Sequence, residues 1–452
     1  MREGQIRRLL CITLLAMAST AAGSPLAFPE AVGFGRHARG GRGGEVVTVH
    51  TLADTGPGSL RSALGVRRWQ RGQVLPRTVV FRVAGTITLR SPLWIRAPYL
   101  TIAGQSAPGG GIAIRTSGDF DGPALGIDSH DIIIQHLRVR PALAPEDSCC
   151  GDAVTIIGGH DIILDHCSLS WGTDEVLGIW YRPRNITVQH SIIAQARRAE
   201  GDEVTGKGIL IGAHSNRVSL YANLIAHQLQ RNPMIRTDGP GLFQVVNNVI
   251  YNWRHLGGQF AGSPGLTRVN VVGNIYRPGP ETRTERYEIL VSAGASVYLH
   301  DNIGPRRPVT SLDDWNMAGH QRPRYNQPAP PELRAPRAFA APALPVLPVE
   351  LAYRQVLAGA GATQPARDSA DQQLLKEVRQ RHASLEPPPR QARDWPALAP
   401  GSPYPDTDRD GMDDRWELTH GFDPADPDDR NHDPDRDGYT NLEEFLNSTL
   451  PR

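Results

Sequence analysis

Asp152 in GDAVTI and Asp174 in SWGTDE supply carboxylates; Lys207 in GKGILIG and Arg231 and Arg236 in QRNPMIR supply cations. An arginine pair around Asn-Pro is, in most chains, a solvated loop. Here arginine is the default cation, and Lys207 and Lys376 are the two lysines among 452 residues. A lysine in such a chain marks a position with a demand that arginine does not meet. Gathered in one place, the acids would hold a metal ion, and the three cations beside it would bind an acidic ligand.

Whether they gather depends on the frame. Eight runs align: LTIAGQ, IIIQHL, IILDHC, ITVQHS, VSLYAN, FQVVNN, VNVVGN and VYLHDN. Their last residues are Gln105, Leu137, Cys167, Ser191, Asn223, Asn248, Asn274 and Asn302, separated by 32, 30, 24, 32, 25, 26 and 28 positions. Alternating apolar residues in a recurring unit of this size indicate strands in a stacked array, with loops of varying length. A parallel β-helix fits, and the Asn residues would form a hydrogen-bonded ladder along its axis. A β-sandwich would show shorter turn spacings of about 8–12 residues. Asp174 follows Cys167 by seven positions and Arg231 follows Asn223 by eight. The two then share one part of the coil, two coils or about 10 Å apart. Lys207 belongs to the coil between them, and Asp152 to the coil before Asp174.

Composition agrees. With 46 Gly, 38 Pro and 6% aromatic residues the chain suits turn-rich β architecture. Residues 1–23, with Arg2, Arg7 and Arg8 before an apolar core and small residues, read as a signal peptide. The apolar stretch is too short to span a bilayer, so an exported protein is expected. One of Cys149 and Cys150 could bridge to Cys167 in an oxidising compartment. The β-helix is expected over 24–305, a Pro/Ala-rich segment with a helix near 370–382 packing back over 306–385, and a linker over 386–405.

Residues 401–452 hold 12 Asp, 3 Glu and 5 Arg, a net −10; the remainder carries 43 basic and 32 acidic groups, a net +11. A basic body suggests an anionic ligand, and an acidic tail a cation. Within 406–450, DTDRDGMDDRWE and DPDRDGYTNLEE both match D-x-D-x-D-G-x5-E. That pattern wraps Ca²⁺ in oxygen ligands around a glycine turn. The expected ligands are Asp406, Asp408, Asp410, Asp414 and Glu417 in the first loop, and Asp433, Asp435, Asp437, Asn441 and Glu444 in the second. A solvated acidic tail would not repeat Gly411, Glu417, Gly438 and Glu444 in register. The pair resembles dockerin-like or thrombospondin type 3 calcium repeats.

GDAVTI, ILDHCSLSWGTDE, GKGILIG and RNPMIRTDGPGLFQVVNNVIYNW, in this order, resemble successive motifs of the pectate lyase family. The opening AFPEAVGFGRHARGGRGGEVV and the later VLAGAGATQPARDSADQQLLKEVR are similar to bacterial members too. The resemblance implies an all-β, right-handed parallel β-helix and calcium-assisted eliminative cleavage of polygalacturonate. It implies calcium at Asp152 and Asp174, with Glu175 and Asp147 as further ligands. Arg231 takes the place of the base, with Lys207 in reserve, and Lys207 and Arg236 bind the substrate carboxylate. Where relatives carry a further acid four residues after Asp174, this chain has Gly178. Asp165 and His166 read as braces of the coil. Trp171 is a candidate for stacking on sugar, as is Trp180, with core packing the alternative for both. A polygalacturonase-type hydrolase would want a separate Asp cluster, which is not found. A non-catalytic β-helical adhesin or carbohydrate-binding protein would have no need of Arg231 or Lys207. No nucleic-acid motif occurs, and a monomer is expected.

Overall fold

A computed structural model describes residues 25–65, 69–70, 73–142, 150–197, 205–263, 266–320, 327–383 and 395–448. Within it the alternating runs form three stacked sheets. The first has ten strands, from Glu45–Val49 to Ala295–His300, and the second eight, from Gly85–Leu89 to Ile275–Arg277. The third has ten, from Leu93–Ile95 to Gln327–Pro328. The chain visits the sheets in turn and pairs each strand in parallel with the one a coil earlier, which makes a parallel β-helix. One antiparallel pair, Gly319 opposite Pro328, ends the third sheet. Leu100, Ile132, Ile162, Ile186, Val218, Phe243, Val269 and Val297 are successive register partners, the same alignment the repeat gives.

From strand His130–Gln135 onwards, each turn out of the first sheet uses one left-handed residue: His136, His166, His190, Ala222, Asn247, Gly273 and Asp301, with φ between 46° and 64°. From Cys167 on, the residue after each forms the ladder. Cys167 N–H donates to Ser191 Oγ (3.0 Å), and Ser191 N–H to Asn223 Oδ1 (2.9 Å). Each Asn then receives both the backbone and side-chain N–H of the previous one, through Asn248 and Asn274 to Asn302. Asparagine suits the position because it accepts from one neighbour while donating to main-chain carbonyls. Cys167 is a buried free thiol, pushed up to about 12 by burial. Cys150 is disulfide-bonded, so the suggested bridge to Cys167 does not form.

Asp165 is the brace the sequence suggests: it meets Nδ1 of His166 at 3.0 Å and of His190 at 3.5 Å, and accepts from Gln189 at 2.9 Å. His136 stacks on His166 with ring centroids 5.0 Å apart. Burial, then the neighbouring His166, pushes His136 down to about 3. The unfolded chain takes up a proton near the ordinary value of 6.5 while the folded chain resists it. This contribution to stability is therefore complete above about 6.5 and is lost as pH falls towards 3. His136→Asn, which tolerates the left-handed backbone, should move the acid-unfolding midpoint to lower pH by about one unit, read by circular dichroism.

Two of the three outer faces are clad by the chain itself. On the first sheet, Thr101, Thr187 and Ser219 accept from Gly41, Gly35 and Phe34 of the N-terminal segment. Gln244 and Asn270 bond to Pro342 and Phe339 of the Pro-rich segment. The glycines allow close approach: at Gly33 φ is +74°, and a Cβ on Gly35 would lie 2.2 Å from Ile162 O. On the second sheet lie the helices Val349–Gly359 and Ser369–Gln380, packed against Ile192, Leu224, Val249 and Tyr251. Arg140 pairs with Asp368 and, at 2.7 Å, with Asp371, which also accepts from Ser168. From Trp395 on, the stretch expected as a linker is bonded down, Trp395 Nε1 to Arg140 O and Gly110 N to Ala399 O.

Candidate active site

The third sheet differs from the other two. In its strands Val154–Ile157, Glu175–Trp180, Lys207–Gly212 and Met234–Thr237, the residues Val154, Ile156, Leu177, Ile179, Ile209, Ile211 and Ile235 are buried. The alternate residues face outwards, where Ile157, Trp180, Leu210 and Met234 are half-buried and Arg236 is exposed. Register puts Lys207 beside Glu175 and Arg236 beside Gly212. The strand entrances carry the rest: Asp152 precedes the first of these strands, Asp174 the second, and Arg231 the fourth.

The acids meet. Asp152, Asp174 and Glu175 offer carboxylate oxygens that all lie within 4.8 Å of one another. Asp152 Oδ1 accepts from Glu175 N at 3.0 Å, and Thr155 donates to its Oδ2. Burial, with a further contribution from Asp174, raises the Asp152 carboxyl to about 8 against the opposing pull of Thr155, Lys207 and Arg231. Lys207 pairs with Asp174, and Arg231 with the buried Glu175. A Cβ at Gly178 would stand 2.6 Å from Asp152 Oδ2, so the absent side chain keeps room beside that carboxylate.

Arg231 is held rigidly. Its backbone is left-handed (φ 64°), its N–H donates to Gln259 Oε1 at 3.1 Å, and Asn232 is tied to Leu256 O at 2.9 Å. Burial lowers its guanidinium below the usual arginine value; Arg236 acts the same way, whereas Asp174 and Asp152 oppose. The strip therefore joins a crowded acid trio to a cation whose proton is loosened.

No family model matches the sequence. Among curated proteins, the chain is 34% identical over 455 residues to the probable pectate lyase C of Aspergillus flavus, covering 98% of this chain and 97% of that protein. The probable pectate lyase C of Aspergillus fumigatus is 34% identical over 441 residues, covering 97% of each. The chain belongs to the pectate lyase family. It is a polysaccharide lyase. A solved structure of the cedar pollen allergen jun a 1 aligns with 19% identity and a TM-score of 0.47, over 74% of this chain and 93% of that one.

The geometry of this lyase corrects several sequence expectations. Trp171 is 4% exposed, left-handed at φ 68°, hydrogen-bonded through Nε1 to Gln195 at 3.1 Å and set edge-on to Trp395. The turn after strand Ser168–Ser170 directs it into packing, so it presents no face to a sugar. Trp180, half-buried and stacked at 4.9 Å on the exposed Tyr181, stands on the outward row instead. Asp147 lies outside the described residues. Thr155 and Gln259 were not foreseen, because each acts by holding another site residue in place.

In the acidic tail, Asp406, Asp408 and Asp410 form one group and Asp433, Asp435 and Asp437 another. Glu417 joins Asp410 and Asp429, a residue outside both motifs. Asp414 is not among them: its two oxygens accept from Thr407 N and Oγ1, both at 2.8 Å. Glu444 lies near the second group, since burial and then Asp435, Asp437 and Asp433 raise its carboxyl. Asn441 is buried and donates to Asp429 O at 2.8 Å. Among the described residues, no helix is long and apolar enough to cross a membrane.

Proposed function

We propose that this lyase is exported and cleaves α-1,4-polygalacturonate by β-elimination, with Arg231 as the base. The observation that carries the reading is the Arg231 guanidinium, lowered by burial and set against the acid trio. A guanidinium ordinarily keeps its proton; partial burial and the nearby Arg236 both favour the neutral form. Lys207 and Arg236 then receive the uronate carboxylate, and Arg231 takes the proton from C5. The electron pair left on C5 forms the C4–C5 double bond as the glycosidic oxygen leaves C4 and takes a proton from water, giving an unsaturated oligogalacturonate. Charge developing on the carboxylate in this step is stabilised by the same Lys207 and Arg236.

Asp152, Asp174 and Glu175 fit a resident calcium ion. Their donors are all carboxylate oxygens within 4.8 Å of one another, Asp152 is raised by burial first and by Asp174 in addition, and a hard cation would favour the charged form of all three. Bound there, calcium supplies charge neutralisation of the substrate carboxylate and so acidifies the C5 proton. The signal-like residues 1–23 support export, and the loop motifs of 406–450, with their two Asp groups, support calcium in the tail. The protein is read as a monomer.

Incubated with polygalacturonate and calcium, the protein should generate product absorbing in the near ultraviolet as the double bond forms. Reducing ends released without that absorbance would mean hydrolysis and overturn the reading.

A further inference from the structure

We propose that the two C-terminal loops form a single calcium clamp, in which Asp429 is a ligand of the first ion and the loaded clamp secures the opening strands of the solenoid. This goes beyond, and rests on, the reading of the tail as calcium loops.

Asp410, Glu417 and Asp429 bring carboxylate oxygens within 4.8 Å of one another. They are 1%, 0% and 5% exposed. Asp410 Oδ2, Asp429 Oδ1 and both oxygens of Glu417 are buried with no hydrogen-bond partner. Facing carboxylates that have lost water and gained no donor are strongly unfavourable unless a cation lies between them. A donor set made only of oxygen selects a hard ion of the calcium type. Asp429 is well placed to act as a ligand. Its Oδ2 accepts from Asp423 N at 3.3 Å, which leaves Oδ1 for the cluster.

The same residue joins the two loops. Its carbonyl accepts from Asn441, the ninth position of the second loop, whose own Oδ1 is buried without a donor. An ion held by Asp410, Glu417 and Asp429 therefore ties the first loop to the connecting segment and to the root of the second.

The clamp sits on the outer face of the first sheet. Arg82, just after strand Arg77–Phe81, pairs with Asp406 at 3.2 Å. Arg42 grips Glu443 with contacts of 2.8 and 2.9 Å, and Asn431 bonds to Gly44 O at 3.3 Å. Met412, Leu442, Phe445 and Leu446 pack with Ala103 and Val46. Loss of the first ion leaves the buried acids to repel one another and loosens Met412 and Asp406, which hold this face.

The test uses the full-length chain. Radiocalcium equilibrium dialysis counts bound ions, and hydrogen exchange follows Glu45–Val49 and Arg77–Phe81 with and without calcium. Asp429→Asn is expected to bind one calcium fewer than wild type and to lose the calcium-dependent protection of both strands. Asp433→Asn, a variant of the second loop, should keep the ion at Asp429. Should Asp429→Asn not fold, Asp429→Glu keeps the charge and should weaken one class of sites by about tenfold or more. If Asp429→Asn binds as many ions as wild type, with the same protection, the clamp is wrong while calcium loops stand. If neither Asp429→Asn nor Asp433→Asn changes the count, the calcium reading of the tail fails as well.

Discussion

Arg231→Ala should lower kcat on polygalacturonate by about a thousandfold or more while leaving KM within a few-fold, as expected when a general base is removed. The split follows from the division of labour on the third sheet. Lys207 and Arg236 would still receive the carboxylate, so binding survives, whereas the group aimed at C5 is gone. The alkaline limb of the pH profile gives a second readout. A base acts deprotonated, so kcat/KM should climb as pH rises towards the lowered value of the Arg231 guanidinium. Arg231→Lys places a group with an ordinary pKa about two units lower, so any residual activity should begin its rise at lower pH. A kcat within about tenfold of wild type for Arg231→Ala would point to Lys207 instead.

Asp371→Ala should cost about 3–5 kcal/mol of stability, measured by urea unfolding, the range found when one partner of a buried ion pair is removed. Asp371 is 1% exposed and lies within the helix Ser369–Gln380. It joins Arg140 to Ser168 across the boundary between the C-terminal helices and the second sheet. The substitution leaves Arg140 with Asp368 alone and Ser168 Oγ without its acceptor. Asp371→Asn keeps shape and an acceptor oxygen, so its loss should be smaller. Combined with a substitution at Asp368 the effects should not add, since both acids serve the same arginine.

The solenoid was legible because its cause is periodic. Inward residues alternate, and the ladder position recurs once per coil, so aligning Asn223, Asn248, Asn274 and Asn302 already aligns the strands. The meeting of Asp152, Asp174, Lys207 and Arg231 followed from that register. Trp171 was harder to read, because its direction depends on a left-handed turn that the residue type does not announce. The helix Val349–Gly359 went unseen behind the Pro-rich run, although Val349, Ala352, Val356 and Leu357 make a buried stripe. Asp429 escaped because a motif lists only the ligands within its own loop. The chain's cover over two sheets leaves no periodic trace, for each contact there pairs an irregular segment with a single strand residue.

That cover has an architectural consequence. The N-terminal and Pro-rich segments lie over the first sheet and two helices over the second, and Trp395 packs on Arg140 and Trp171 where the chain leaves the second sheet, so a coil that grows at any of these places must displace a covering segment. Coil lengths in this chain vary between 24 and 32 residues against a fixed stacking register. A change of coil length at those places therefore calls for a matching change in the segment that lies over it.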